Sequence, residues 1–275
     1  MIDRIQYISD IHLEFYKTLK SIPAIPVNAD VLVLAGDVGY PTMPIFWDFL
    51  ELQSGRFANI ILVAGNHEYY HTNTAISKGR ILTMEEMDEL IRSEITRRKL
   101  HNIHFLQCGT VIIDDIEFIG ATLWSDIPRQ KTVDVVEAMS DYSRIFIEDE
   151  KTQTIHTVSV EALNKLHREH RQFLCSQGAR TGEETAFAAA KRKTVFITHH
   201  LPSYSMINTK YINNPINCAF ASDTLHTVPV KPDVWICGHS HTAFDDIIDG
   251  IHCVMNPIGY PDENKNINWG AYISI

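Results

Sequence analysis

Basic residues are scarce in this chain. Its 275 residues carry 24 Lys and Arg against 34 Asp and Glu, a formal net charge of −10 at pH 7. Grooves for nucleic acid and docking faces for anionic membranes are built from basic patches, so neither partner is expected. Paired cysteines are missing too: five Cys lie scattered, with no C-x-x-C. Cys237 and Cys253 stand inside apolar runs and read as small buried hydrophobes. No apolar run approaches the roughly 18 residues of a membrane span. Residues 1–10 hold two Asp and no long apolar segment, unlike a secretory leader. Repeats, heptads and low-complexity tracts are absent. The expectation is a cytoplasmic protein with one domain over residues 1–275, its core drawn from a 45% hydrophobic composition. A phosphorylated substrate stays open, because bound metal ions supply positive charge that a residue count omits.

What the chain does have is a recurring layout. Five apolar runs each end in residues that bind hard or borderline cations. Tyr7 and Ile8 lead into Asp10 and His12. Val31 to Leu34 lead into Gly36 and Asp37. Ile60 to Val63 lead into Gly65, Asn66, His67 and Glu68. Val195 to Ile197 lead into His199, and Val234 to Ile236 lead into Gly238, His239, Ser240 and His241. A lone His at a strand end is an ordinary surface residue. Five such endings in one chain point to a two-metal hydrolytic site at the ends of sheet strands.

The pattern between these runs gives the fold class. Short apolar runs read as strands at 5–8, 28–34, 60–63, 103–106, 111–113, 116–119, 194–198, 234–237, 244–248, 251–255 and 269–275. Helical spacing marks 44–52, 84–99 and 157–175, the first opened by Pro44. Strand, helix, strand alternation in the first third implies parallel pairing and an α/β layer fold. Extended backbone from Asp10 to His12 would aim both side chains the same way. Gly36 and Gly65 suit sharp turns at strand ends. Three excursions, 69–102, 122–156 and 201–230, are expected around the active site, the middle one without strand character. Residues 177–184 read as a polar loop.

The residue types fit phosphoryl transfer to water. Two divalent ions about 3.5–4 Å apart relieve charge on the phosphate and stabilise the leaving group. A solvent molecule between them ionises near neutral pH. Asp37, central in the series, is the natural bridge. Asn66 offers a neutral oxygen, which limits negative charge beside an anionic substrate. The imidazoles of His12, His199, His239 and His241 suit Mn, Fe, Zn or Ni better than Mg or Ca; two Mn²⁺ ions are the expected cofactor, with Fe, Zn or Ni as alternatives.

The blocks Asp10-x-His12, Gly36-Asp37, Gly65-Asn66-His67-Glu68, His199 and Gly238-His239-Ser240-His241 together resemble the calcineurin-like metallophosphoesterase superfamily. The resemblance runs from Asp10 to His241. It implies a two-sheet β-sandwich flanked by helices, with a dimetal site at one end of the sheets. One metal would be held by Asp10, His12, Asp37 and His241, the other by Asp37, Asn66, His199 and His239. His67 and Asp37 would be the catalytic residues, His67 protonating the leaving oxygen or steadying the transition state. The stretches T-H-H-L-P-S at 198–203, A-F-A-S-D at 219–223 and N-P-I-G-Y at 256–260 resemble a bacterial subgroup without an assigned substrate.

Two departures narrow the activity. The Ser/Thr protein phosphatases of this superfamily carry G-D-x-V-D-R-G and an Arg before G-N-H. Here Tyr40 and Pro41 stand in the first block and Ala64 before the second. The arginines that grip a phosphomonoester dianion are missing, which favours a small phosphodiester. The carboxylate that orients the catalytic His is missing as well, which leaves His67 without an obvious partner. Phosphomonoesterase activity, or metal and phosphate binding without turnover, is the alternative; a nuclease is disfavoured by the acidic balance. Arg129 or Arg144, swinging into the site from the middle excursion, could reverse the diester argument. His200 faces the pocket or packs beside it. Tyr204, Asn213 and Tyr260 contact substrate or pack loops, and Trp124 is rim or core. His71, His101, His104, His156, His167, His170, His226 and His252 read as solvated or packed. Nothing in the sequence speaks to oligomeric state.

Overall fold

The computed structural model describes residues 2–149, 151–177, 192–264 and 267–275. The polar loop expected at 177–184 lies, beyond Gln177, outside the described residues. In chain order the strands are β1 (Arg4–Ile8), β2 (Val31–Ala35), β3 (Asn59–Val63), β4 (Ile103–Phe105), β5 (Gly109–Ile113), β6 (Ile116–Ala121), β7 (Phe146–Glu148), β8 (Ile155–Thr157), β9 (Lys193–Thr198), β10 (Val234–Cys237), β11 (Phe244–Ile248), β12 (Ile251–Met255) and β13 (Tyr272–Ser274). The helices are α1 (Pro44–Ser54), α2 (Asn73–Ser77), α3 (Met84–Arg97), α4 (Thr132–Ala138), α5 (Asp141–Arg144) and α6 (Val160–Gln177).

Two sheets stack face to face. One has the order β13-β1-β2-β3-β4, with β1 to β4 parallel and β13 antiparallel on the edge. The other has the order β11-β12-β10-β9-β6-β5, with β12, β10, β9 and β6 parallel. Period-two alternation shows why both faces of each sheet are covered. In β2, Val31, Val33 and Ala35 enter the layer between the sheets, while Leu32 and Leu34 pack on the helices outside. In β10, Val234 and Ile236 face inward and Trp235 and Cys237 outward. The result is an α/β two-sheet sandwich flanked by helices.

The helices follow from local signals. Pro44 opens α1, whose Phe46, Phe49 and Leu50 are fully buried against the first sheet. Thr83 and Glu86 close a capping box on α3, each accepting the other's backbone N–H at 3.2 and 2.7 Å. The longest helix, α6, buries Val160, Leu163 and Leu174, and also His167 and His170. Leu123 N–H donates to His170 Nδ1 at 3.0 Å, and His167 Nδ1 lies 3.0 Å from Leu123 O. These packed histidines hold the turn that follows β6. No helix among the described residues is long and apolar enough to cross a membrane.

The middle excursion departs from expectation. It holds α4, α5 and β7, and β7 pairs antiparallel with β8. Its Phe146 is buried on His71 in an edge-to-face contact, a partner 75 residues earlier that no local pattern announces.

Phe118 on β6 is fully buried between the sheets. Phe118→Ala should cost about 3–5 kcal/mol. A lower urea midpoint at unchanged slope is the expected result; a shift below 1 kcal/mol would refute the inter-sheet core.

Candidate metal centre

Because β1, β2 and β3 are parallel, and β9 and β10 likewise, each group delivers its C-terminal ends to one edge. The five sequence endings converge there. Asp10, His12 and His241 place their ligand atoms within 4.8 Å of one another, and so do Asp37, His199 and His239. Asp37 stands between the groups. Its Oδ2 lies 3.3 Å from His199 Nε2, 3.9 Å from His12 Nε2 and 4.0 Å from His67 Nε2. His12 and His241 face each other at 3.0 Å through Nε2, and His199 Nε2 lies 3.2 Å from Asn66 Oδ1.

The remaining ring nitrogens explain the orientation. His199 Nδ1 lies 2.9 Å from Ala35 O and His241 Nδ1 2.7 Å from Glu263. His12 Nδ1 lies 3.0 Å from Glu14 Oε1. Oxygen acceptors thus hold the Nδ1 protons and aim the Nε2 lone pairs inward, the usual support of metal-bound imidazole. The Asn66 amide is set the same way: Nδ2 donates to the Tyr70 hydroxyl, which donates to Asp141, leaving Oδ1 on the His199 side. The donor set therefore fits divalent cations that accept mixed nitrogen and oxygen ligands.

Charge agrees with this. Burial and neighbouring imidazoles hold His239 and His200 well below the usual histidine value, so both are neutral. Burial works the same way on His199 and His241, but Asp37 and Asp10 overcome it and push them up to about 10 and about 9. Asp37 itself is well below the carboxylate range, because His199 and His67 outweigh its burial. The centre attracts positive charge.

The backbone is unusual at the ligands. Asp10, His12, Asp37, His239 and His241 all have φ between 50° and 71°. Such left-handed non-glycine residues are uncommon and persist where the surroundings over-determine them. This corrects the extended reading of Asp10-x-His12: two left-handed residues flank a buried Ile11. Gly65 also differs from the expected turn. A Cβ there would lie 2.2 Å from Asp37 Oδ1, so close approach demands glycine. At Gly36 both reasons hold, with φ of 85° and His199 Nδ1 2.4 Å from a Cβ.

Two carboxylates went unread in the sequence. Glu68 accepts backbone N–H groups from Asp37, Val38, Gly39 and Gly65 at 2.6–3.2 Å, tying the loop after β2 to the loop after β3. Burial and Asp37 raise it to about 7 against those donors. Glu14 lies 2.6 Å from His67 Nδ1, so His67 has a partner after all. It comes from the loop after β1, 53 residues away, and only the D-I-H-L-E spacing hinted at it.

A cavity of about 670 Å³ opens over the centre. Thr72, Asn73 and Thr74 from the first excursion line it, with Met139, Ser140 and Arg144 from the second and Asn208, Tyr211, Asn214 and Asn217 from the third. Of the sequence candidates for substrate contact, the cavity takes Tyr260 and Arg144. The Tyr260 hydroxyl is 3.5 Å from His67 Nε2 and its ring 4.5 Å from His12. Arg144 donates to His71 O at 3.2 Å. Tyr204, Asn213 and Arg129 are not on the cavity wall. Trp124 and His200 are buried behind the centre, where they border a separate void of about 10 Å³. Trp124 is core.

Two outcomes are expected. At pH 7, binding of Zn²⁺ or Mn²⁺ should release about two protons, from His199 and His241, and affinity should rise with pH up to about 10. Calorimetry in buffers of different ionisation heat measures this; no proton release would contradict the electrostatics. Gly65→Ala should lose bound metal, read by elemental analysis, since Asp37 must move.

Family comparisons agree with this geometry. The calcineurin-like phosphoesterase model matches residues 4–243. The chain is 27% identical over 287 aligned positions to uncharacterized protein L509 of Acanthamoeba polyphaga mimivirus, covering 98% of this chain and 96% of that one. It shares a fold with the phosphopantetheinyl hydrolase of Mycobacterium tuberculosis, at a TM-score of 0.69 and 18% identity, over 98% of this chain and 95% of that one. With strand-end ligands, sheet order and sequence model in agreement, the chain belongs to the calcineurin-like phosphoesterase family.

Proposed function

We propose that this protein is a dinuclear metal-dependent phosphoesterase acting on a small phosphodiester. The observation that carries the reading is Asp37 Oδ2, set 3.3, 3.9 and 4.0 Å from the Nε2 atoms of His199, His12 and His67. Asp10, His12, Asp37 and His241 would hold one cation, and Asp37, Asn66, His199 and His239 the other. Mn²⁺ is the first choice, with Fe, Zn or Ni as alternatives. Bound divalent ions supply charge relief to the phosphate and a nucleophile ionised near neutral pH.

The chain's own groups do the rest. His67 presents Nε2 toward Asp37 and the cavity. Burial would lower its pKa, but Asp37 and Glu14 raise it above the usual histidine value, which suits a proton donor. Tyr260 closes one side of the phosphate position. Arg144 does reach the cavity wall, but it is the one arginine or lysine among the described cavity residues and gives one N–H to His71 O, so no pair of arginines clamps a dianion there. Against Glu14, Asp37 and Glu263 on the same wall, a monoanionic diester is better matched than a dianionic monoester. The neutral amides and hydroxyls of Asn208, Asn214, Asn217 and Tyr211 suit an uncharged alcohol portion that forms hydrogen bonds. One domain spanning residues 1–275 fits this use of all three excursions. Five unpaired thiols suit the cytoplasm.

Metal-stripped protein resupplied with Mn²⁺ should hydrolyse bis-p-nitrophenyl phosphate faster than p-nitrophenyl phosphate. Asp37→Asn should reduce diester turnover by roughly 100-fold or more. Faster monoester turnover, lost in Arg144→Ala, would replace the diester reading with a monoesterase. Full activity in Asp37→Asn would refute the site.

A further inference from the structure

Glu14 belongs to neither proposed ligand set, yet it touches both functions of the site. We propose that Glu14 is a positioning residue that fixes two imidazoles at once, the ligand candidate His12 and the proton donor His67. The inference rests on the phosphoesterase reading above.

One carboxylate oxygen makes both contacts. Glu14 Oε1 lies 3.0 Å from His12 Nδ1 and 2.6 Å from His67 Nδ1. An ionised carboxylate only accepts, so both Nδ1 atoms donate to it. Each ring therefore presents Nε2 to the cavity, His12 toward His241 and His67 toward Asp37. The Glu14 side chain is 5% exposed, so water competes little for these bonds. Among the described residues its Oε2 is buried with no hydrogen-bond partner, and the two rings alone claim the carboxylate.

The fold builds a place for it. His12 is left-handed, Leu13 N–H donates to Val38 O at 2.9 Å, and the turn Leu13–Phe15 carries Glu14 back toward the His12 ring. Opposite stands Gly39, where a Cβ would lie 2.9 Å from Leu13 Cβ and 3.3 Å from Glu14 Oε2. Glycine leaves the room that this carboxylate fills. Tyr70 stacks on the other face of the arrangement, its ring 4.3 Å from that of His67.

In the reaction, a water-derived oxygen bonds phosphorus as the ester P–O bond breaks. The electron pair goes to the leaving oxygen, which takes the proton from His67 Nε2. His67 is left neutral, with its Nδ1 proton still donated to Glu14, and solvent restores the Nε2 proton. A misaligned His67 harms poor leaving groups far more than good ones, a signature that general loss of structure does not produce.

The test compares Glu14→Ala and Glu14→Gln in Mn²⁺-loaded protein on methyl aryl phosphodiesters whose phenols run from p-nitrophenol to phenol. At saturating Mn²⁺, Glu14→Ala should lower kcat roughly 100-fold on the phenyl ester and about threefold or less on the p-nitrophenyl ester, and it should weaken Mn²⁺ binding roughly 10-fold through His12. Glu14→Gln keeps an acceptor oxygen and should lose roughly tenfold on the phenyl ester. A uniform fall across the series at saturating Mn²⁺, or an Mn²⁺ affinity equal to the parent's, would overturn the proposal. A second readout needs no turnover. In Zn²⁺-loaded protein at a pH high enough to strip the Nε2 proton from His67, long-range ¹⁵N–¹H spectra should show His67 protonated at Nδ1 in the parent and in Glu14→Gln, and a mixture of tautomers in Glu14→Ala. An unchanged His67 tautomer in Glu14→Ala overturns the positioning role. The expected spectra in a parent that hydrolyses no ester would instead keep Glu14 and reject the phosphoesterase reading.

Discussion

The Asp37 carboxylate is buried at the meeting point of three loops, and each loop is shaped around it. Its Oδ1 accepts the His67 N–H at 2.8 Å, which locks the loop after β3. Its Oδ2 faces the imidazoles of His199 and His12, which brings in the loops after β9 and β1. Its own N–H is held by Glu68 at 2.9 Å. A buried charge of this kind is tolerated only with partners on every side. The crowding of glycines and histidines around Asp37 is the structural consequence.

Strain and burial at the centre are supported by the sheets. Five left-handed ligand candidates and a set of buried polar groups all work against folding. They persist because the strands that carry them are buried on both faces. Val31 to Ala35 are each fully buried, and so are Ile60 to Val63. The rigid ends of such strands leave the short loops little freedom, and ligand atoms from five chain segments meet with ångström accuracy. The cavity wall is built differently, from long excursions whose polar tips hang over this base.

Much of the frame was legible in the sequence. Apolar runs of four to six residues, read with a period of two, located the parallel strands of both sheets, and Pro44 marked a helix start. The strand-end ligand candidates were legible because chemistry-bearing residues directly followed those runs. What escaped was set by distance along the chain. Glu14 reaches His67 across 53 residues, and Asp141 reaches Tyr70 across 71. Trp124 follows a strand and carries no local sign of facing core or cavity. The left-handed conformations of Asp10 and His12 were hidden too, since Asp and His also sit comfortably in extended backbone.

The sequence by itself determined the class of chemistry. Hard and borderline ligands after apolar runs, on an acidic chain without basic patches, specify cation binding at strand ends, because residue type alone sets ligand softness and charge. Only the tertiary structure decided the orientation of those ligands and the identity of their partners. Which nitrogen of His12, His199 and His241 faces the cavity depends on the oxygen that holds the other nitrogen. Those oxygens, on Glu14, Ala35 and Glu263, come from loops and strands that meet only after the sheets have stacked.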